Sequence, residues 1–195
     1  MPDGLQIGLF IHLAAVFVAA GTSTTFILVL SMMRRARTVQ DVRTFSTLGG
    51  LAEHAFPLAT LVLLLSGGYL VNEYGASWGN GWVNTSAIAL VLMAVGALKI
   101  NTLKMNEIHH AAESVPDGPV PRELAALIAD PLLFAVTHAI TIGMLGIIWN
   151  MTTKPGDAEA GIVIVISALV GAGSAAPMFS RRRAILSGEA AVEGS

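Results

Sequence analysis

The stretch LQIGLFIHLAAVFVAAGTSTTFILVLSMMRRAR, residues 5–37, decides the fold. It runs to Met33 without an Asp, Glu, Lys or Arg and then closes on Arg34, Arg35 and Arg37. At about 1.5 Å per helical residue it is long enough to cross a hydrocarbon core of about 30 Å. A basic cluster at its end is the feature that keeps a helix terminus cytoplasmic. Four further apolar runs, residues 51–71, 82–103, 131–149 and 161–179, meet the same length criterion. The expected fold is all-α, a polytopic membrane bundle of five transmembrane helices forming one domain over residues 1–185. Residues 186–195, small and acidic, have the composition of a disordered tail.

Composition agrees. Hydrophobic residues make up 54% of the 195 and charged residues 12%, about half the charge of a soluble domain. There is no cysteine, which removes disulfides, thiolate metal sites and cysteine nucleophiles. A net charge of -2 without a basic, aromatic-laced patch points away from nucleic acid. The partner that composition does imply is the lipid bilayer, with a bacterial or archaeal plasma membrane as the expected location. Arg34, Arg35, Arg37 and Arg43 follow the first run, Lys104 and Arg122 lie between the third and fourth, and Arg181, Arg182 and Arg183 follow the fifth. All three segments belong on one side, so the N-terminus is expected outside and the C-terminus in the cytoplasm. The long loop breaks at Pro116-Asp117-Gly118-Pro119, and a short surface helix is expected over residues 122–129. Pro57 and Pro131 read as openings of apolar helices, and the pairs Gly49-Gly50 and Gly67-Gly68 as helix ends or packing points.

Ionisable residues inside the spans carry the functional information, because charge at bilayer depth is costly. Counted from the inner boundary, His54 lies roughly 5 Å deep, Lys99 roughly 7 Å and His138 roughly 10 Å, whereas His12 belongs to the opposite face. Two imidazoles that clasp one ion or one haem must stand at similar heights. His54 and His138 satisfy that condition and are the candidate metal pair. His12 is a separate candidate cofactor ligand on the outer side. Glu53, Asn101 and Thr137 add polarity near the inner layer. Each candidate also has a structural reading. Lys99 can snorkel to the interface, His54 can sit among headgroups, and His138, flanked by Thr137 and Thr141, can bond a neighbouring helix. The hydroxyl run Thr22-Ser23-Thr24-Thr25 is expected to bond carbonyls one turn back. Small-residue stripes, Ala15-Ala19-Ser23 on the first helix and Ser167-Gly171-Ala175 on the fifth, mark close helix contacts.

The pattern Ile11-His12-Leu13-Ala14-Ala15-Val16, with Gly21 nine positions after the histidine and Arg34-Arg35 beyond, resembles the first helix of a widespread bacterial group of predicted integral membrane proteins of unknown function. Phe56-Pro57-Leu58 and the leucine-rich run ending Ser66-Gly67 continue the likeness. That group is similar in turn to the membrane domain of copper-resistance D proteins and to membrane-type protoporphyrinogen oxidases. In those oxidases the resemblance implies b-type haem, with a first-helix histidine paired to a lysine near the start of the third helix. His12 matches the histidine. After Trp82 the chain reads Val83-Asn84-Thr85-Ser86, and Lys99 and Lys104 lie at the far end of that helix, so the pair is incomplete.

Two functions from different classes follow. One is a module that binds haem b or a copper-like ion for electron transfer or metal handling. The other is a small permease, or an accessory or structural subunit of a membrane complex, as a homo-oligomer or with larger partners. No phosphate loop, His-Glu-x-x-His or Gly-x-Ser-x-Gly motif is present, so no catalytic residue is assigned.

Overall fold

The computed structural model describes residues 3–187, except for the side chain of Glu53. Among the described residues it is helical, with one isolated antiparallel bridge between Thr38 and Pro119. Five helical stretches are long and apolar enough to cross a membrane: Gly4–Met33, Val39–Glu73, Gly81–Glu113, Arg122–Thr153 and Asp157–Ser187.

α1 (Gly4–Met33) opens on a capping box, Asp3 accepting from the Gln6 amide at 2.8 Å while Gln6 accepts from the Asp3 amide at 3.2 Å. Its Thr22 hydroxyl donates to the Val18 and Ala19 carbonyls and those of Ser23 and Thr24 to the Ala20 carbonyl, so these three are satisfied within the helix. Ala15, Ala19 and Ser23 are buried along one stripe, while Phe10 and Phe17 project from the other face. That outward apolar surface is what lipid solvates.

α2 (Val39–Glu73) is longer than the apolar run within it. Thr38 and Asp41 form a second capping box, and the helix then passes through Gly49-Gly50 and Pro57 without ending. Pro57 does not open a helix, and of the two roles expected for Gly49-Gly50, helix end and packing point, the second holds at Gly49. Gly49 is a packing point and not a helix end, because a Cβ there would come within 2.9 Å of the Met105 methyl. Pro57 is interior to α2, where it removes one backbone donor and crowds the carbonyl one turn back. Pro131, by contrast, sits in the first turn of its helix as expected.

α3 (Gly81–Gly96) continues through a π-helical turn, Ala97–Asn101, into α4 (Thr102–Glu113). α5 (Arg122–Ile128) lies before α6 (Pro131–Thr153), whose last turn closes on Lys154 in the left-handed conformation. α7 (Asp157–Gly173) and α8 (Ala176–Ser187) are separated by a turn at Ser174 and Ala175. α8 reaches Ser187, so the expected tail begins inside a helix, and its remainder lies outside the described residues.

α1 packs mainly on α2, and α6 mainly on α7, while α3 bridges α6 and α7. Two apolar clusters fill the bundle. One gathers Phe26, Leu30, Met33, Val39, Met105, Leu133 and Phe134 toward the end that carries the arginines. The other gathers Ala15, Ala19, Phe56, Leu63, Leu90, Met93, Ile140 and Met144 toward the opposite half.

Candidate functional site

Three of the five histidines reach a serine on another helical segment. His12 Nδ1 lies 3.0 Å from Ser66 Oγ between α1 and α2. His109 Nδ1 lies 2.9 Å from Ser46 Oγ between α4 and α2. His138 Nδ1 lies 3.0 Å from Ser174 Oγ, between α6 and the turn that ends α7. A serine hydroxyl has one proton to give. Ser66 donates it to the Val62 carbonyl at 2.6 Å, Ser46 to the Arg43 carbonyl at 3.0 Å and Ser174 to the Gly171 carbonyl at 2.7 Å. With its proton so placed, each hydroxyl can accept from the imidazole, an arrangement in which the ring proton sits on Nδ1 and Nε2 keeps its lone pair. His54 reaches the same state differently, its Nδ1 donating to the Gly50 carbonyl 2.7 Å away on its own helix.

The expected inner-layer pair is not drawn together by these contacts. His54 is exposed on α2 and tied to its own backbone. His138 is half-buried on α6, facing Ser174, with the Phe134 ring 6.0 Å away centroid to centroid. The principal neighbours of α2 are α1 and α4, and those of α6 are α7 and α3. Among the described residues no group of three or more His, Asp or Glu is arranged to hold a metal ion. Lys99 is exposed within the π turn, while Asn101, two residues on, is buried and accepts from Thr137 Oγ1 at 3.3 Å. Glu53's side chain lies outside the described residues.

Beside the His12–Ser66 contact an apolar groove of ≈ 430 Å³ runs between α1 and α2, bounded by Ile7, Gly8, Ile11, Leu65, Ser66 and Tyr69. Gly8 is required there, since a Cβ would meet the Tyr69 ring at 2.6 Å. Gly67 abuts His12 Cε1, which a Cβ would approach to 3.3 Å.

Asn150 and Asp130, neither of them assigned a role from sequence, hold the helices, and Thr141 stands at the α1 contact. Asn150, fully buried, donates to Ser86 Oγ at 3.4 Å and to the Ala160 carbonyl at 3.2 Å, joining α6 to α3 and α7. Thr141 donates to the Thr137 carbonyl of its own helix at 3.0 Å and lies 3.4 Å from the Ser23 carbonyl on α1. Asp130 caps α6 by accepting from the Leu132 amide at 2.9 Å and pairs with Lys104 at 3.1 Å and Arg182 at 3.8 Å. Its position directly before Pro131 was the available signal, since Asp-Pro is a helix-start pattern.

No curated protein and no solved structure matches the chain. A family model does, across residues 7–155, which takes in α1 through α6 with every histidine tie except its Ser174 partner. With its five apolar spans, the chain is a multi-pass integral membrane protein and belongs to the family described as predicted integral membrane protein (DUF2269).

Proposed function

We propose that this protein is an accessory, non-catalytic subunit of a larger assembly in a prokaryotic plasma membrane, inserted with its N-terminus outside. One observation carries the reading: the intramembrane polar groups that meet do so in pairs across helices. His12 with Ser66, His138 with Ser174, Asn101 with Thr137 and Asn150 with Ser86 each join two segments. A reaction centre or a solute path needs several polar groups converging on one space. Paired groups instead fix helix positions and leave a rigid body with an apolar exterior. The test is gentle solubilisation of the tagged chain at native expression, followed by light scattering. A particle heavier than the 20.3 kDa chain, with a second subunit in fixed ratio, is the expected result. A monodisperse monomer would remove the proposal.

A second reading is favoured by the bare Nε2 of His12. Metal-bound histidines ordinarily donate their other ring N–H to a fixed acceptor, and Ser66 Oγ, 3.0 Å from His12 Nδ1, is placed to be one. One axial imidazole suffices for a haem, and the groove beside Ser66 is apolar. Haem b, or a copper-like ion with ligands from elsewhere, would therefore use His12 first, with His138 and His54 as separate single-ligand candidates. A Soret band in the purified protein that disappears in His12→Ala supports this; a colourless preparation with no copper by elemental analysis refutes it.

A further inference from the structure

The basic residues at one end of the bundle divide into two classes. Arg43 pairs with Asp117 at 2.5 Å, Lys104 with Glu107 and Asp130 at 3.1 Å, and Arg182 with Asp130 at 3.8 Å. Arg34, Arg37 and Arg181 have no carboxylate within 4.0 Å among the described residues, and these three line one cavity of ≈ 910 Å³. No Asp or Glu lines it; most of the remaining wall is apolar, including Met33, Ile128 and Ile185.

Arg34 and Arg181 are also held close. Arg181 Nη2 donates to the Arg34 carbonyl at 3.0 Å. Arg34 stacks over the Phe134 ring at 5.2 Å and points Nη1 at the Met178 sulfur at 3.5 Å. Its Nε is buried without a partner among the described residues, a costly state for a guanidinium donor. Burial first, then the Arg181 and Arg35 charges, pull the Arg34 pKa down, as expected where like charges gather without a counterion.

We propose that this cavity is a binding site for the phosphate of an anionic phospholipid, taken by Arg34, Arg37 and Arg181 with the glycerol and upper acyl carbons against the apolar wall. Guanidinium forks match phosphate geometry, and basic pockets between membrane helices are suited to acidic headgroups. The cavity lies at the end of the apolar span of α1, between the α1–α2 connection, α5 and α8, where a bilayer matched to that span would put its headgroups. A headgroup fits better than a free anion because most of the wall is apolar and because lipid is always present there. The proposal is independent of the accessory-subunit reading.

The test uses the full-length chain, delipidated in a neutral detergent. Dioleoylphosphatidylglycerol, dioleoylphosphatidylcholine or millimolar inorganic phosphate is added back, and bound lipid is read by native mass spectrometry alongside apparent Tm. Phosphatidylglycerol is expected to be retained and to raise Tm, with phosphatidylcholine and inorganic phosphate doing neither. Arg37→Gln with Arg181→Gln should weaken retention by about fivefold for each arginine. Should that double variant elute as aggregate, Arg37→Gln alone, an exposed position between α1 and α2, gives the same comparison. Equal retention of both lipids, or unchanged retention by the variant, overturns the proposal. An equal rise with inorganic phosphate assigns the site to a soluble anion instead and overturns the lipid. So does a phosphatidylglycerol response that appears only after truncation following Ser187, which would make the chain's own Glu189 and Glu193 the occupants.

Discussion

Gly171→Ala tests the α6–α7 contact that sets the position of His138. A Cβ at residue 171 would stand 2.4 Å from the His138 carbonyl oxygen and 2.7 Å from Ala139 Cα, against an ordinary contact that begins at 3.4 Å. Those atoms are backbone on the facing helix, so no side chain can rotate out of the way and α7 must withdraw by about 1 Å. Overpacking of this kind costs about 1–3 kcal/mol. At about 2–4 °C per kcal/mol for a chain of this size, the apparent Tm should fall by about 2–12 °C. The Ser174 hydroxyl, bound to both Gly171 and His138, moves with it. Gly161→Ala, in the same helix with nothing within 4 Å of the new Cβ, is the control. It should be neutral or stabilising by up to about 1 kcal/mol, since alanine loses less entropy in a helix than glycine. The assay is intrinsic tryptophan fluorescence during heating in one detergent. If Gly171→Ala melts with the wild type, or both variants fall equally, the close approach is not what holds α6 to α7.

Gly81→Ala should also destabilise, by about 1–3 kcal/mol in the same melting assay, because its Cβ would come within 2.3 Å of Asp157 Cα; a wild-type Tm would argue against that helix junction. Asp130→Asn keeps the cap acceptor but loses the charge shared by Lys104 and Arg182, with an expected cost of about 1–2 kcal/mol in view of the partial exposure of both cations. A melting cycle of His12→Ala, Ser66→Ala and the double variant should show coupling near 0.6 kcal/mol, roughly the mean for membrane hydrogen bonds; strictly additive losses would mean the two side chains do not cooperate. Reporter fusions at the two ends should place them in opposite compartments, as an odd number of crossings requires; matching signals would overturn the inserted orientation.

The spans were legible because lipid forces a long uncharged run, and residues 5–33 supply one without ambiguity. The α1 stripe of Ala15, Ala19 and Ser23 was legible for the same reason, small residues being the ones that let backbones meet. The start of α2 was not. Residues 39–50 are polar and carry Gly49-Gly50, which reads as an interruption, yet Val39 and Val42 are fully buried against the Met105 cluster and Gly49 admits the Met105 methyl. Tertiary contact thus continues a helix that local composition would end.

The candidate pair His54 and His138 shows a second limit. Counting residues along a helix gives depth, and depth alone made these two imidazoles neighbours. Whether two side chains meet depends equally on azimuth and on which helices pack, and α2 turns His54 outward onto its own Gly50 carbonyl. The serine partners were illegible for a related reason. Ser66 is 54 residues from His12, Ser46 63 from His109 and Ser174 36 from His138.

A helix tie and a ligand are not exclusive roles for an imidazole, because they use different nitrogens. A ring whose Nδ1 is spent on a hydroxyl keeps Nε2 free for a metal, a haem iron or a proton. When the hydroxyl gives its proton to its own carbonyl, the backbone of the serine's segment selects which nitrogen of His12, His109 or His138 is open. Removing Ser66 therefore separates the two readings. In a purely structural role, Ser66→Ala only loosens α1 against α2. With haem or copper bound at His12, the same change frees the ring to rotate and to exchange tautomers, so ligand affinity falls about 10–100-fold while the bundle remains folded.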